Sequence, residues 1–277
     1  MKNILSVTGV MVLLLISFFY TEKTVLVLQE TDPIKIEINS KKDEYYKKAI
    51  DAIIKKDTII PGIYGKEIDV NASYLNMKNI GVFSKANLKF KHIKPNISVK
   101  DNKNKYIISA NPQKNSVSIV FLVKNDNYID EILNILKFKN VKADFFVNSN
   151  LEDTIYTNIL NDGHSIGNYG NNGIYTSENT KMINNKLNKI TSNKTDYCLL
   201  KEKKSNIFNV CNKVILYNSI IQNGYSDAKT KLNSGEIIIF NLNYANIKDM
   251  GSIISLIQKK GLNITTLNNH LSEEELK

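Results

Sequence analysis

Across residues 113–271 the sequence predicts an α/β fold, a parallel sheet or barrel, and three observations carry this. Beyond Pro112, short apolar runs alternate with helical patterns. All four prolines, Pro33, Pro61, Pro95 and Pro112, fall before that stretch, so the chain changes character there. In 277 residues, 42% hydrophobic against 23% charged is a globular mixture with room for one large domain or two smaller ones. The expected division is an apolar leader over 1–23, a small α+β accessory region over 24–112 and the α/β domain over 113–277.

Ile4 to Tyr20 (ILSVTGVMVLLLISFFY) carries no charge, follows Lys2 and precedes Thr21-Glu22-Lys23. The run sits at the short limit of the ~17–25 residues that span a bilayer. Bulky Ile16, Phe18, Phe19 and Tyr20 leave no small-residue cleavage site. An uncleaved membrane anchor through residues 4–20 is therefore favoured over a cleaved signal, which would make the protein secreted, and over a buried core helix. Lys2 stays in the cytoplasm and the C-terminal body lies outside, as a single-pass protein of the cell membrane.

Thr24–Leu28 then reads as a strand. Glu44–Lys56 carries Tyr45, Ala49, Ile50, Ile53 and Ile54 on one helical face, and Pro61-Gly62 and Gly65 break the chain. Next come strands at Val117–Val123 and Ala143–Val147 and helices at Tyr128–Phe138, Thr154–Asp162 and Asn179–Ile190. Strands at Val214–Tyr217 and Glu236–Leu242, a helix at Met250–Lys260 and a strand at Asn263–Leu267 complete the pattern. An open doubly wound sheet shares this alternation with a barrel.

The formal charge is +10, yet every basic side chain is lysine. Without one guanidinium fork for phosphates and guanine edges, the chain reads as no nucleic-acid binder. Its charge favours loose attraction to an anionic wall or membrane surface. Lys41-Lys42, Lys47-Lys48 and Lys201-Glu202-Lys203-Lys204 read first as solvated faces. His92, His164 and His270 lie far apart, and Cys198 and Cys211 are too few for a zinc site of four cysteines. These cysteines either close a disulfide in an exported protein or remain two buried thiols.

Three segments of the C-terminal half, in order, resemble the polysaccharide deacetylase family, the NodB homology domain of carbohydrate esterase family 4. Ser116–Val147 (SVSIVFLVKNDNYIDEILNILKFKNVKADFFV) resembles the family's opening strand ending in TFDDG, a helix and a "gVkATFFv" strand. Ile159–Asn168 (ILNDGHSIGN) resembles "ivadGHeIGNH". Leu232–Leu271 resembles "lkpGsIiLlH", a helix and "kGyrivtLsel". Residues 60–81 and 90–109 resemble a module found ahead of such domains in Gram-positive surface proteins. The resemblance implies a distorted (β/α) barrel over 113–271 with an N-terminal anchor helix and an α+β accessory region.

Such enzymes remove acetyl groups from wall glycans. A zinc or other divalent ion polarises the carbonyl and activates water beside a carboxylate base and a histidine acid. Aligned on Ile119-Val120-Phe121, the two aspartates of the family's first motif fall on Leu122 and Val123, and its two histidine ligands on Tyr169 and Gly173. The arginine-proline motif falls near Tyr197–Leu200, and the late histidine on Asn241. None of these can complete a three-ligand site, so the expectation is no catalytic residue, no metal and no cofactor. Asp126, Asp144, His164, Tyr169 and Asn241 are the candidate residues of the vacated cleft. His164 matches a family histidine that is structural.

Two functions follow from the resemblance. The favoured one is a catalytically inactive, membrane-anchored module whose partner is a cell-wall glycan or an envelope protein. The other is an active metal-dependent deacetylase whose ligands have moved, to three or more of Asp126, Asp144, Asp162, His164 and Glu178. Tyr169, Tyr175, Tyr197, Tyr217 and Tyr225 could stack on sugars or simply fill the core.

Overall fold

The computed structural model describes residues 11–18, 31–148, 151–192 and 194–274. In chain order the strands are β1 (Ile53–Lys55), β2 (Thr58–Ile60), β3 (Gly65–Ile68), β4 (Phe90–Ile93), β5 (Tyr106–Ile107), β6 (Ser116–Val123) and β7 (Asp144–Val147). They continue as β8 (Ser165–Asn168), β9 (Lys194–Thr195), β10 (Tyr197–Leu200), β11 (Lys213–Leu216), β12 (Ile237–Asn241) and β13 (Asn263–Ile264).

The chain divides into two compact units, Met1–Ala49 with Gly65–Ile93 and Ile50–Tyr64 with Lys94–Lys277. The first holds the antiparallel pair β3–β4 and the helices Pro33–Ser40 and Val70–Lys78. Ile34, Ile38, Ile68, Tyr74, Met77 and Leu88 form its core. Asp32 caps the first helix by accepting from Ile34 N–H at 2.8 Å and accepts from the Tyr74 hydroxyl at 2.9 Å.

In the second unit one sheet runs β12-β6-β7-β8-β9, parallel throughout, with β13 also on β6. All eight residues of β6 are buried, as a central strand covered on both faces must be. Alternation sorts them. Val117, Ile119, Phe121 and Val123 join a core with Ile129, Ile132, Leu133 and Leu136 of the helix Ile129–Phe138 and Met250, Ile253, Ile254 and Ile257 of the helix Tyr244–Lys259. Val120 and Leu122 point the other way, to Phe146, Tyr169, Leu199, Ile215, Ile239 and Ile59. Each fully buried aliphatic side chain stabilises the fold by about 1.5–3 kcal/mol. The second sheet, β1-β2-β5-β11-β10, supplies the far side of that inner core. A mixed α/β architecture is thus observed, its strands forming two sheets rather than one closed ladder.

Three expectations change. Glu44–Lys56 is not a helix: helical backbone ends at Tyr45, then Lys47 pairs with Lys66 and Ile50 with Ile63. Ile53 and Ile54 are 46% and 36% exposed, so the apolar spacing that suggested one face buries no stripe. The boundary at Pro112 also moves, because β1, β2 and β5 are completed by β10 and β11 and so belong with the α/β domain. The C-terminal helix begins at Tyr244, capped by the Asn243 side chain, ahead of the expected Met250. Residues 11–18 are helical, and no helix among the described residues is long and apolar enough to cross a membrane. The rest of the apolar run, and the strand expected at Thr24–Leu28, lie outside the described residues.

Candidate functional site

In parallel α/β folds the C-terminal strand ends carry ligands, and β6, β7, β8 and β12 end together here. Leu122 pairs with Asn241 on one side and Phe146 on the other, while Val123 pairs with Val147 and Val147 with Asn168. Leu122 is 1% exposed and Val123 fully buried. They face opposite sides of the sheet, Leu122 in the inner core and Val123 in the core shared with the helices.

A pocket of about 250 Å³ remains at this end, lined by Leu122, Lys124, Asn125, Gln222, Asn241, Leu242 and Asn243. Asn241 Nδ2 donates to Gln222 Oε1 at 3.0 Å, and Asn241 O accepts from Asn246 Nδ2 at 2.7 Å. The wholly buried Asn246 also donates to Ile221 O and accepts from Gly224 N–H. Asn241 Oδ1 is a buried acceptor with no protein donor.

Beyond β8 the chain turns sharply. Asn171 and Ile174 form an antiparallel bridge around Asn172 and Gly173, whose φ values are +50° and +86°. Asn-Gly with two left-handed residues is the two-residue turn that suits a hairpin. Tyr169, 4% exposed, accepts Gly173 N–H on its carbonyl at 2.8 Å, and its ring packs in the inner core. Its hydroxyl donates to Tyr217, and burial, more than that bond, raises its pKa far above the ordinary value. Asn168 holds the turn: Oδ1 accepts Gly170 N–H at 2.6 Å and Nδ2 donates to Thr180 O and Asn184 Oδ1. The Tyr175 hydroxyl donates to Asn168 O at 3.1 Å and accepts Leu199 N–H at 3.0 Å, tying β8 to β10. Sequence reasoning missed the roles of Asn168 and Asn172; the Asn-Gly dipeptide was the available signal.

The remaining candidates do not gather at this end. Asp126 is exposed in the turn after β6. Asp144 begins β7, beside Val120 and away from Leu122, and is wholly buried. It accepts from the Ser165 hydroxyl and from Leu267 N–H at 2.8 Å, holding the C-terminal segment, and burial pushes its carboxyl up to about 7. His164 precedes β8, where Nδ1 accepts Ala143 N–H at 3.2 Å and the ring meets Phe145 edge-on. Burial lowers its pKa to about 4. Asp162 ends the helix Asp153–Asn161 ahead of left-handed Gly163 (φ +76°), an ordinary helix stop, and Glu178 is exposed. Tyr169, Tyr175 and Tyr197 are buried core residues, Tyr217 is half-buried, and Tyr225 is exposed. Among the described residues no three His, Cys, Asp or Glu side chains are placed to hold a metal. The donor set does not fit the ion of the deacetylases: Leu122 and Val123 have no donor atom, and Gly173 has no side chain. Cys198 and Cys211 form a disulfide.

No protein-family model matches the chain. The uncharacterized protein YlxY of Bacillus subtilis (strain 168) is 33% identical over 154 residues, 54% of this chain and 48% of that protein. The chain thus spans about half the length of the curated relative it matches. A carbohydrate esterase family 4 pseudoenzyme from Bacillus anthracis is similar in structure, with TM-score 0.60 at 20% identity over 88% of this chain and 97% of that one. A mutant of that pseudoenzyme with restored enzymatic activity gives 0.59 at 20% identity, over 87% and 99%. PdaA of Bacillus subtilis, a family 4 carbohydrate esterase, gives 0.51 at 14% identity, over 62% and 86%. With its buried framework kept and the acid and histidine positions of the resemblance filled by other residues, the chain has the polysaccharide deacetylase fold of carbohydrate esterase family 4.

Proposed function

We propose that this protein is a catalytically silent member of the deacetylase family. It is held outside the cell by its N-terminal apolar run and acts as a glycan-binding or scaffolding module of the envelope. One observation carries the silent reading: Leu122, Val123, Tyr169 and Gly173 are built into the core and a hairpin turn. These residues serve packing and a turn where the family's chemistry needs two carboxylates and two imidazoles. The likeness to a pseudoenzyme supports the same reading.

For the glycan, the pocket at Asn241 offers uncharged amides, the Lys124 ammonium and a buried acceptor that needs a donor, which suits sugar hydroxyl or acetamido groups. Co-sedimentation of the full chain with insoluble peptidoglycan tests it. Binding that falls at least fivefold in Asn241→Leu is expected, and a chain that stays in the supernatant would remove the glycan role. The relocated-ligand reading has less support, since Asp144 and His164 are committed to backbone bonds away from Leu122.

A further inference from the structure

The lysines of residues 201–204 are joined by others that lie far from them in sequence. Lys55 and Lys56 stand at the corner between β1 and β2, Lys105 immediately before β5, and Lys201, Lys203 and Lys204 in the loop after β10. These segments meet around Asp57. Lys203 Nζ lies 2.8 Å from Asp57 Oδ1, and Lys105 Nζ donates to Lys56 O at 2.8 Å. Tyr106 N–H donates to Asp57 O at 2.8 Å, and the Tyr106 hydroxyl binds Lys204 O at 3.0 Å and Lys204 N–H at 3.3 Å. The disulfide between Cys198 and Cys211 closes the loop that carries three of these lysines. All but the half-buried Lys105 are exposed, and Asp57 and Glu202 are the carboxylates among them.

The backbone adds a second feature to this corner. Lys55 pairs with Thr58, so Lys56 and Asp57 are the corner residues, and Lys56 takes φ +56°. A side chain is strained there, and glycine or asparagine is the ordinary occupant. Of the five other left-handed non-glycine positions among the described residues, 115, 140, 172 and 206 carry asparagine and 128 carries tyrosine. At residue 56 the chain keeps a lysine.

We propose that this corner is a docking surface for a polyanionic polymer with phosphodiester repeats. Charges drawn from three chain segments meet successive anions rather than one. Lysine ammoniums, point charges without a planar fork, hold repeated charge without reading a single group. A nucleic acid fits less well: Tyr106 is buried against Phe208, with ring centroids 5.0 Å apart, so the corner offers no open ring for a base. The envelope placement proposed above determines only which polymer the protein meets; the binding itself does not rest on it.

The test is titration of the full chain, in neutral detergent, with poly(glycerol phosphate) oligomers at 50 and 200 mM salt. Affinity should fall at least tenfold between the two salts. The variant K55Q/K56Q/K203Q/K204Q should bind at least tenfold more weakly than wild type. K181Q/K189Q/K248Q/K259Q removes the same charge from exposed sites elsewhere and should stay within twofold. Lys56→Gly relieves the corner, so its melting temperature should rise while its affinity falls severalfold, separating binding from folding. Absent binding, equal losses in the two quadruple variants, or equal affinity for a single-stranded DNA of matched charge would each overturn the proposal. A chain that sediments with peptidoglycan but ignores the polymer would sink only the docking surface.

Discussion

Asn241 lies directly beside Leu122 in the parallel ladder of β12 and β6, so two positions far apart in sequence share one point at the C-terminal edge of the sheet. In an active deacetylase the resemblance would put a histidine and an aspartate there. Here an amide and an aliphatic side chain stand against a pocket of about 250 Å³.

Restoring the acids alone should damage the fold. Leu122→Asp and Val123→Asp bury carboxylates without partners, at about 1–3 kcal/mol or more each. The second lands among the helices rather than at the strand ends. Urea unfolding should show both losses, and the double variant should release no acetate with zinc. An unchanged midpoint for Leu122→Asp would mean that water already reaches this position.

The histidine that the resemblance would place at residue 173 does not suit the turn found there. Gly173 has φ +86°, and a Cβ there would stand 3.5 Å from the Tyr169 hydroxyl oxygen. Gly173→Ala should lose about 1–2 kcal/mol through backbone strain, and Gly173→His at least as much. Denaturant midpoints check this directly; a stabilised Gly173→His would show that the turn is not the one described.

Much of the domain was legible because its elements are long and periodic. The eight-residue apolar run of β6 and the helical spacing of Ile129, Ile132, Leu133 and Leu136 leave little choice of structure. The two-residue β5 and the exposed β1 carry no comparable signal, since their place in the second sheet is set by distant β11 and β10. Hence the change in composition at Pro112 does not coincide with the division between the two units. At the site, the resemblance points to Leu122 and Val123 residue by residue as the places of its two aspartates. The turn at Asn172-Gly173 is hidden from a motif alignment, which carries residue types and no backbone conformation. Asp144 reads from sequence as a cleft residue because strand alternation sets the face of a residue but not its depth along the strand.

Buried titrating groups set the pH response. Burial lowers His164 and His270 from 6.5 to about 4, so the stability they confer is present above pH 6.5 and lost as pH falls through about 4. Burial raises Asp144 from 3.8 to about 7, so its contribution is full below about pH 4 and lost as pH rises through about 7. Between pH 4 and 6.5 these three groups together bind one net proton more in the unfolded chain, so their contribution to stability should fall on acidification by about 1.4 kcal/mol per pH unit, while Glu236, whose pKa burial raises, works in the opposite direction. Asp144→Asn should roughly double that slope. Urea unfolding at pH 5, 5.5 and 6 measures it, and an unchanged slope would show that Asp144 is ionised in the folded protein.

Cys198 and Cys211 enclose a short loop, and replacing both with serine should cost about 3 kcal/mol by loop-closure entropy. The same variant should weaken binding to poly(glycerol phosphate), because Lys201, Lys203 and Lys204 lie inside the loop. Thermal melts under oxidising and reducing conditions check the first part; coincident melts would show that the bond does not form.

The central claim, a deacetylase fold whose reacting positions have become packing and turn residues, is tested most directly by acetate release from chitooligosaccharide and peptidoglycan by the wild-type full chain with added zinc. Release no greater than the protein-free blank is predicted, at any zinc concentration the protein tolerates. Zinc-dependent release that a chelator abolishes would contradict it.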